Sequence, residues 1–276
     1  MHIPKTSGMA VSSGLATAIN PDVMVEGFDH SSFNIDCDFA SADWSVRSRI
    51  HDSPEALPPH ANLIVGHFAF STLRQAYPGA QLLTVLREPS SRVLSHWLFW
   101  RQHTDIELAP WGNWAERVQR SRRPIAEFLS DTEVACQTDN LMLRMLLWPH
   151  PLLASDRFIN PANDAELLRE ARTNLNKFDF VDIVENIDFK SRLQGWLGRP
   201  FVYELVNETK PIPQQFRSPL HSELTPKVLD LLEARSRLDV DLWADVVRRR
   251  LPGQSISRLR QYALLANVAR YSVLMG

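Results

Sequence analysis

The chain is poor in cysteine and glycine, and neither sign of charge dominates it. Its two cysteines, Cys37 and Cys136, cannot build a disulfide framework, and no CxxC or Cys/His cluster has metal-ligand spacing. One disulfide stays open, although a reducing compartment is the expected setting. Thirty Lys and Arg face 32 Asp and Glu, a formal net charge of −2, which excludes a global electrostatic drive toward nucleic acid. Any basic site must be local. No apolar run approaches the ~18 residues of a membrane span, and the opening does not read as a signal peptide. No Walker A loop is present, because no Gly lies five residues before a Gly-Lys pair. Internal repeats and low-complexity tracts are also lacking.

What the chain has is apolar content of 44 % over 276 residues, enough for a sizeable core. Val11, Leu15, Ala18 and Ile19 recur at helical spacing and predict a helix from Gly8 to Ile19, stopped by Asn20-Pro21. Residues 22–60 are polar and read mostly as loop, with a short strand at Val23–Val25. Leu63–Val65 and Leu82–Leu86 are short apolar runs of the buried parallel-strand type. Pro89 then opens a helix to about His103. Further helices are expected near 124–130, 136–147, 163–176 and 187–197, and strands at Phe180–Val184 and Phe201–Leu205. Helices near 225–236, 239–250 and 255–273 close the chain. The alternation predicts an α/β fold with a central parallel sheet over residues 1–252 and an amphipathic helical extension over 253–276. Ligands of such folds bind at the carboxyl ends of the strands.

Two motifs carry chemistry. In His2-Ile3-Pro4-Lys5-Thr6-Ser7-Gly8 a lysine, a hydroxyl and small residues lead straight into a helix, which presents N–H groups, a dipole and a cation to a phosphate. The strand that should deliver such a loop is almost absent from the sequence. In Leu86-Arg87-Glu88-Pro89, Arg87 ends a buried strand, and Ser95 lies on the second turn of the following helix. An arginine fork and a hydroxyl there can converge on one phosphate. Together the motifs suggest a nucleotide carrying phosphate at two ends. His67 directly follows a strand at the ligand edge, where an imidazole suits proton removal near neutrality. His2 is the second candidate base.

The first motif resembles the 5′-phosphosulfate loop (HIPKTGGTS) of carbohydrate sulfotransferases related to heparan sulfate 2-O-sulfotransferase. Arg87-Glu88-Pro89 with Ser95 is similar to that family's 3′-phosphate motif, an RDP followed by a serine eight residues after the arginine. Ser95-His96-Trp97-Leu98-Phe99-Trp100-Arg101 resembles its SHYYFLR. Gly66-His67-Phe68, Asn140-Leu141-Met142-Leu143-Arg144, Phe180–Asp188 and Asn207-Glu208-Thr209 resemble later family segments more loosely.

The resemblance implies a P-loop-like fold and a co-substrate, 3′-phosphoadenosine 5′-phosphosulfate (PAPS), whose sulfuryl group passes to a hydroxyl while the bisphosphate PAP leaves. Lys5, Thr6, Ser7, Gly8, Met9 and Ala10 would hold the 5′-phosphosulfate, with Lys5 assisting the departing phosphate. Arg87 and Ser95 would hold the 3′-phosphate, Asn207 and Thr209 would add to the nucleotide site, and His67 would be the general base. The implied acceptor is a carbohydrate, glycolipid or other alcohol, and no metal is required. A bacterial cytoplasmic setting is expected, with the lumenal domain of a Golgi-type enzyme as the alternative.

Ser7-Gly8-Met9-Ala10 stands where the family has Gly-Gly-Thr-Ser, so two hydroxyls are missing and a side chain is added at Ser7. That change keeps open a PAP-binding pseudoenzyme; a P-loop phosphotransferase is the third alternative. Arg117, Arg120, Arg122 and Arg123 read as a solvated helix face, with contact to an acidic glycan as the other reading. The segment bearing Arg258, Arg260 and Arg270 is expected to pack on its own domain or in a homodimer, with peripheral membrane contact as the alternative.

Overall fold

Every strand pairing among the described residues is parallel. A computed structural model describes residues 1–33, 37–202 and 210–275. Strand β1 (Met24–Asp29) lies between β2 (Ile50–His51) and β3 (Leu63–His67), and β4 (Leu83–Leu86) pairs with β5 (Phe180–Ile183). The molecule is therefore mixed α/β with two small parallel sheets. Parallel neighbours need crossover connections, and between β4 and β5 a succession of helices from Pro89 to Leu175 supplies it. Gly66 sits opposite Gly27 with φ of 141°, and a Cβ there would lie 2.0 Å from the Gly27 carbonyl oxygen. The residue before His67 is thus obliged to be glycine.

The chain's first residues run between the two sheets. The Met1 amine donates to the Leu83 carbonyl of β4 at 2.8 Å, and the His2 N–H donates to Gly66 of β3 at 3.0 Å. An apolar cavity of about 330 Å³ continues this gap, lined by Leu63 and Val65 on one side and Leu83 and Val85 on the other.

The helices that matter for the site are α1 (Gly8–Ile19), α2 (Pro89–Arg101), α3 (Leu141–Leu147), α4 (Pro226–Arg250) and α5 (Ile256–Met275). Helix α2 buries every residue but Phe99, as expected of a helix packed on all sides. Helices α4 and α5 both lie against it. Trp97 and Trp243 are fully buried at the centre of the core.

Expected elements differ from the structure in four places. Residues 22–60 hold all of β1, whose polar Glu26 and Asp29 disguise it, together with β2 and short helical turns. The helix expected over 136–147 is interrupted at Asn140, which is left-handed (φ 50°). Its Oδ1 accepts the N–H groups of Leu238 (2.8 Å) and Asp239 (3.3 Å), so α4 dictates the break. The two helices expected at 225–236 and 239–250 are one 25-residue helix, because no Gly or Pro interrupts them. Phe201 and Val202 are not in a strand; the remainder of that expected strand, 203–205, lies outside the described residues.

Candidate anion-binding site

The opening loop folds on its own carbonyls. The Thr6 N–H and hydroxyl both donate to the Ile3 carbonyl, at 3.3 and 2.9 Å, which closes a tight turn. Lys5 and Ser7 are left-handed, with φ of 69° and 63°. Gly8 packs beneath the His2 ring so closely that a Cβ would fall 1.8 Å from it. The first hydrogen bond of α1 runs from the Val11 N–H to Ser7, so the N–H groups of Gly8, Met9 and Ala10 precede its ladder. Positive dipole and N–H donors therefore face the same cavity as Lys5. Thr6, by contrast, is buried, lines the inter-sheet cavity and spends its hydroxyl on Ile3.

Arg87-Glu88-Pro89 has a plain local logic. Arg87 leaves the end of β4, Glu88 caps α2 by accepting the Ser90 and Ser91 N–H groups at 3.2 and 2.7 Å, and Pro89 occupies the first turn. The Glu88 N–H in turn donates to Glu185 at 2.7 Å. Arg87 donates to the Lys5 carbonyl at 3.0 Å, tying the second motif to the first. Its other arm reaches the Asn267 side chain of α5. Ser95, two turns along α2, meets the Tyr271 hydroxyl of α5 at 2.7 Å.

His67 ends β3 with its Nδ1 2.7 Å from the His2 carbonyl oxygen. A carbonyl only accepts, so Nδ1 carries the proton and Nε2 is the basic nitrogen. The two rings stand 4.4 Å apart, which gives His2 the task of orienting His67. Burial pulls the His67 imidazole down to about 4, against the raising effect of the His2 bond. The ring is neutral near pH 7.

Lys5, Ser7, the first residues of α1, His67, Arg87, Ser95 and Tyr271 border one cavity of about 380 Å³. Lys5, Arg87 and Arg270 supply its cations, His2, His67, His96 and His103 add imidazoles, and no carboxylate is among its described lining residues. Burial, followed by the charges of Arg87 and Arg270, pushes the Lys5 amine down to about 7. His96 is buried with both ring nitrogens unpartnered, and burial followed by Arg92 and Lys5 holds its value well below the usual range. Arg92 is fully buried with Nε and Nη1 unpartnered, and burial lowers it to about 10. Lys5, Arg92 and His96 are buried close together, Asp239 being the acid that acts on Arg92, and cationic groups crowded in this way are relieved by a bound anion.

Of the residues singled out from sequence, the structure gathers Lys5, Ser7, Gly8, Met9, Ala10, His67, Arg87 and Ser95 around this cavity and turns Thr6 away from it. Asn207 and Thr209 lie outside the described residues. Sequence reasoning did not assign Asn267, Arg270 and Tyr271 to the site, since nothing local marks one turn of a late helix as its wall. The Asn140–Arg144 segment is a clasp: buried Arg144 pairs with buried Asp139 at 2.9 Å and donates to the Ala154 and Arg157 carbonyls.

The arginine run is already occupied. Arg117 pairs with Glu133, Arg120 and Arg123 with Asp131, and Arg122 with Asp105. Both cysteines are free and buried. Among the described residues no helix is long and apolar enough to cross a membrane, and no His, Cys, Asp and Glu side chains cluster as metal ligands. No protein-family model, curated protein or solved structure matches the chain.

Proposed function

We propose that the chain is a PAPS-dependent sulfotransferase with a P-loop-like nucleotide site. The observation that carries this reading is the cavity that joins a cationic loop at a helix N-terminus to Arg87 and Ser95 without one carboxylate among its described lining residues. The Lys5 loop is the place for the 5′-phosphosulfate, and Arg87 and Ser95 the place for the 3′-phosphate. The acceptor hydroxyl gives its proton to Nε2 of His67 as its oxygen bonds to sulfur. The sulfur–oxygen bond to the 5′-phosphate breaks, and the electron pair leaves with PAP beside Lys5. Positioning and charge stabilisation supply most of the acceleration in transfers of this kind. The acceptor is a carbohydrate or other alcohol.

A PAP-binding pseudoenzyme is the second reading, favoured by one observation: Met9 and Ala10 line the cavity where the resembled loop carries two hydroxyls for the 5′-phosphosulfate. Thermal unfolding with PAP, with ATP and magnesium, and without ligand tests the site. PAP at a hundred times its Kd adds about 2.7 kcal/mol of stability. A rise of the midpoint with PAP alone supports the nucleotide site, and no rise removes it. Transfer of labelled sulfate from PAPS to an acceptor then separates enzyme from pseudoenzyme.

A further inference from the structure

The half of the cavity away from the phosphate-binding groups has a different chemistry. Phe28, Phe33, Trp100, Trp111 and Trp114 line it, backed by aliphatic side chains of Leu108, Val118 and α3. The rings form a connected chain beginning at the proposed base. His67 touches Phe28 (centroids 5.5 Å apart), and Phe28 meets Phe33 (5.9 Å) and Trp111 (5.7 Å). Phe33 stands edge-on to Trp114 at 4.7 Å, and Trp114 edge-on to Trp100 at 5.9 Å.

The Ser32 hydroxyl and the Gln137 amide nitrogen of this half are already in use. The Ser32 hydroxyl donates to the His67 carbonyl at 2.9 Å, and the Gln137 amide donates to the Ser32 carbonyl. A sugar needs many directed hydrogen-bond partners, and hydroxyls buried without them are costly. The described lining here offers an apolar ring acceptor edges and faces instead.

We infer that the acceptor is an aromatic alcohol of the phenol type, its ring held among Phe28, Trp111 and Trp114 and its hydroxyl presented to His67. This rests on the sulfotransferase reading. The group balance is the one given above: the phenol oxygen gains the sulfuryl group, its proton goes to His67, and PAP leaves.

The test uses the full chain, PAPS, and two acceptors, 2-naphthol and a methyl glucoside, with PAP and 2-naphthol binding measured separately by calorimetry. The expected result is transfer to 2-naphthol at least roughly tenfold better in kcat/KM than to the glucoside. Trp111→Ala, at a half-buried position, should raise the KM for 2-naphthol several-fold and leave PAP affinity unchanged. Binding of PAP with transfer to the glucoside alone, or with no binding of 2-naphthol, overturns the phenol inference and leaves the nucleotide site standing. Absence of PAP binding, with or without 2-naphthol binding, overturns the sulfotransferase reading and the inference with it.

Discussion

The hydroxyls of Ser95 and Tyr271 meet at 2.7 Å across 176 positions of sequence. The residue expected to hold a 3′-phosphate is thereby engaged by the last helix, as Arg87 is by Asn267 one turn earlier. Tyr271→Phe removes the competing hydroxyl and keeps the ring. PAP should then bind about three- to tenfold tighter, the equivalent of one hydrogen bond, while the apo protein loses about 1 kcal/mol. Calorimetric titration checks the first value and denaturant unfolding the second. Weaker binding would instead make Tyr271 a phosphate ligand.

Lys5 predicts a pH dependence. Its amine is lowered to about 7 in the empty site, and a bound anion favours its protonated form. PAP affinity should therefore fall as pH rises above about 7, and binding near that pH should take up a proton. Titrations in buffers of different ionisation enthalpy read that uptake. The effect on folding has the opposite trend. Between about 7 and the ordinary lysine value the unfolded chain binds more protons, so this group's contribution to stability improves as pH climbs through that interval. Lys5→Ala should abolish both dependences and cut transfer by about 10²–10³-fold.

His67→Ala should abolish transfer and leave PAP affinity within about twofold, because its part is proton removal and not phosphate binding. The imidazole sits at about 4, so kcat/KM should show no acid-side fall assignable to His67 between pH 5.5 and 7. A wild-type rate profile falling on the acid side through about pH 6.5 would place the basic group in a different environment.

Ser7 occupies a left-handed position where glycine is at ease. Ser7→Gly should relieve about 1 kcal/mol of backbone strain, offset in part by a more flexible unfolded chain. It also opens room at the mouth of the loop, so PAP should bind several-fold more tightly. Unchanged affinity would show that the serine side chain does not crowd the ligand.

The pieces proposed to hold phosphate were legible because each is local. A lysine loop running into α1, and an arginine, a capping Glu88 and Pro89 at a strand–helix junction, declare their geometry within a few residues. His67 was legible for the same reason, with its obligatory Gly66 beside it. The rest is not local. The continuation of β1 beyond the strand expected at Val23–Val25 hides behind Glu26 and Asp29, the break at Asn140 is imposed by α4, and the α5 wall depends on docking across more than 170 positions. The unpartnered His96 sits inside a helix that reads as ordinary core, so only its surroundings reveal it.

A cavity whose described lining has three cations and no acid will also attract simple oxyanions. Phosphate- or sulfate-buffered solutions would then hide weak nucleotide binding, stabilise the empty protein and flatten its response to salt. Chloride-based, oxyanion-free media are the proper baseline, and the shift on adding inorganic sulfate becomes a measure of how strongly the empty site seeks a counter-charge.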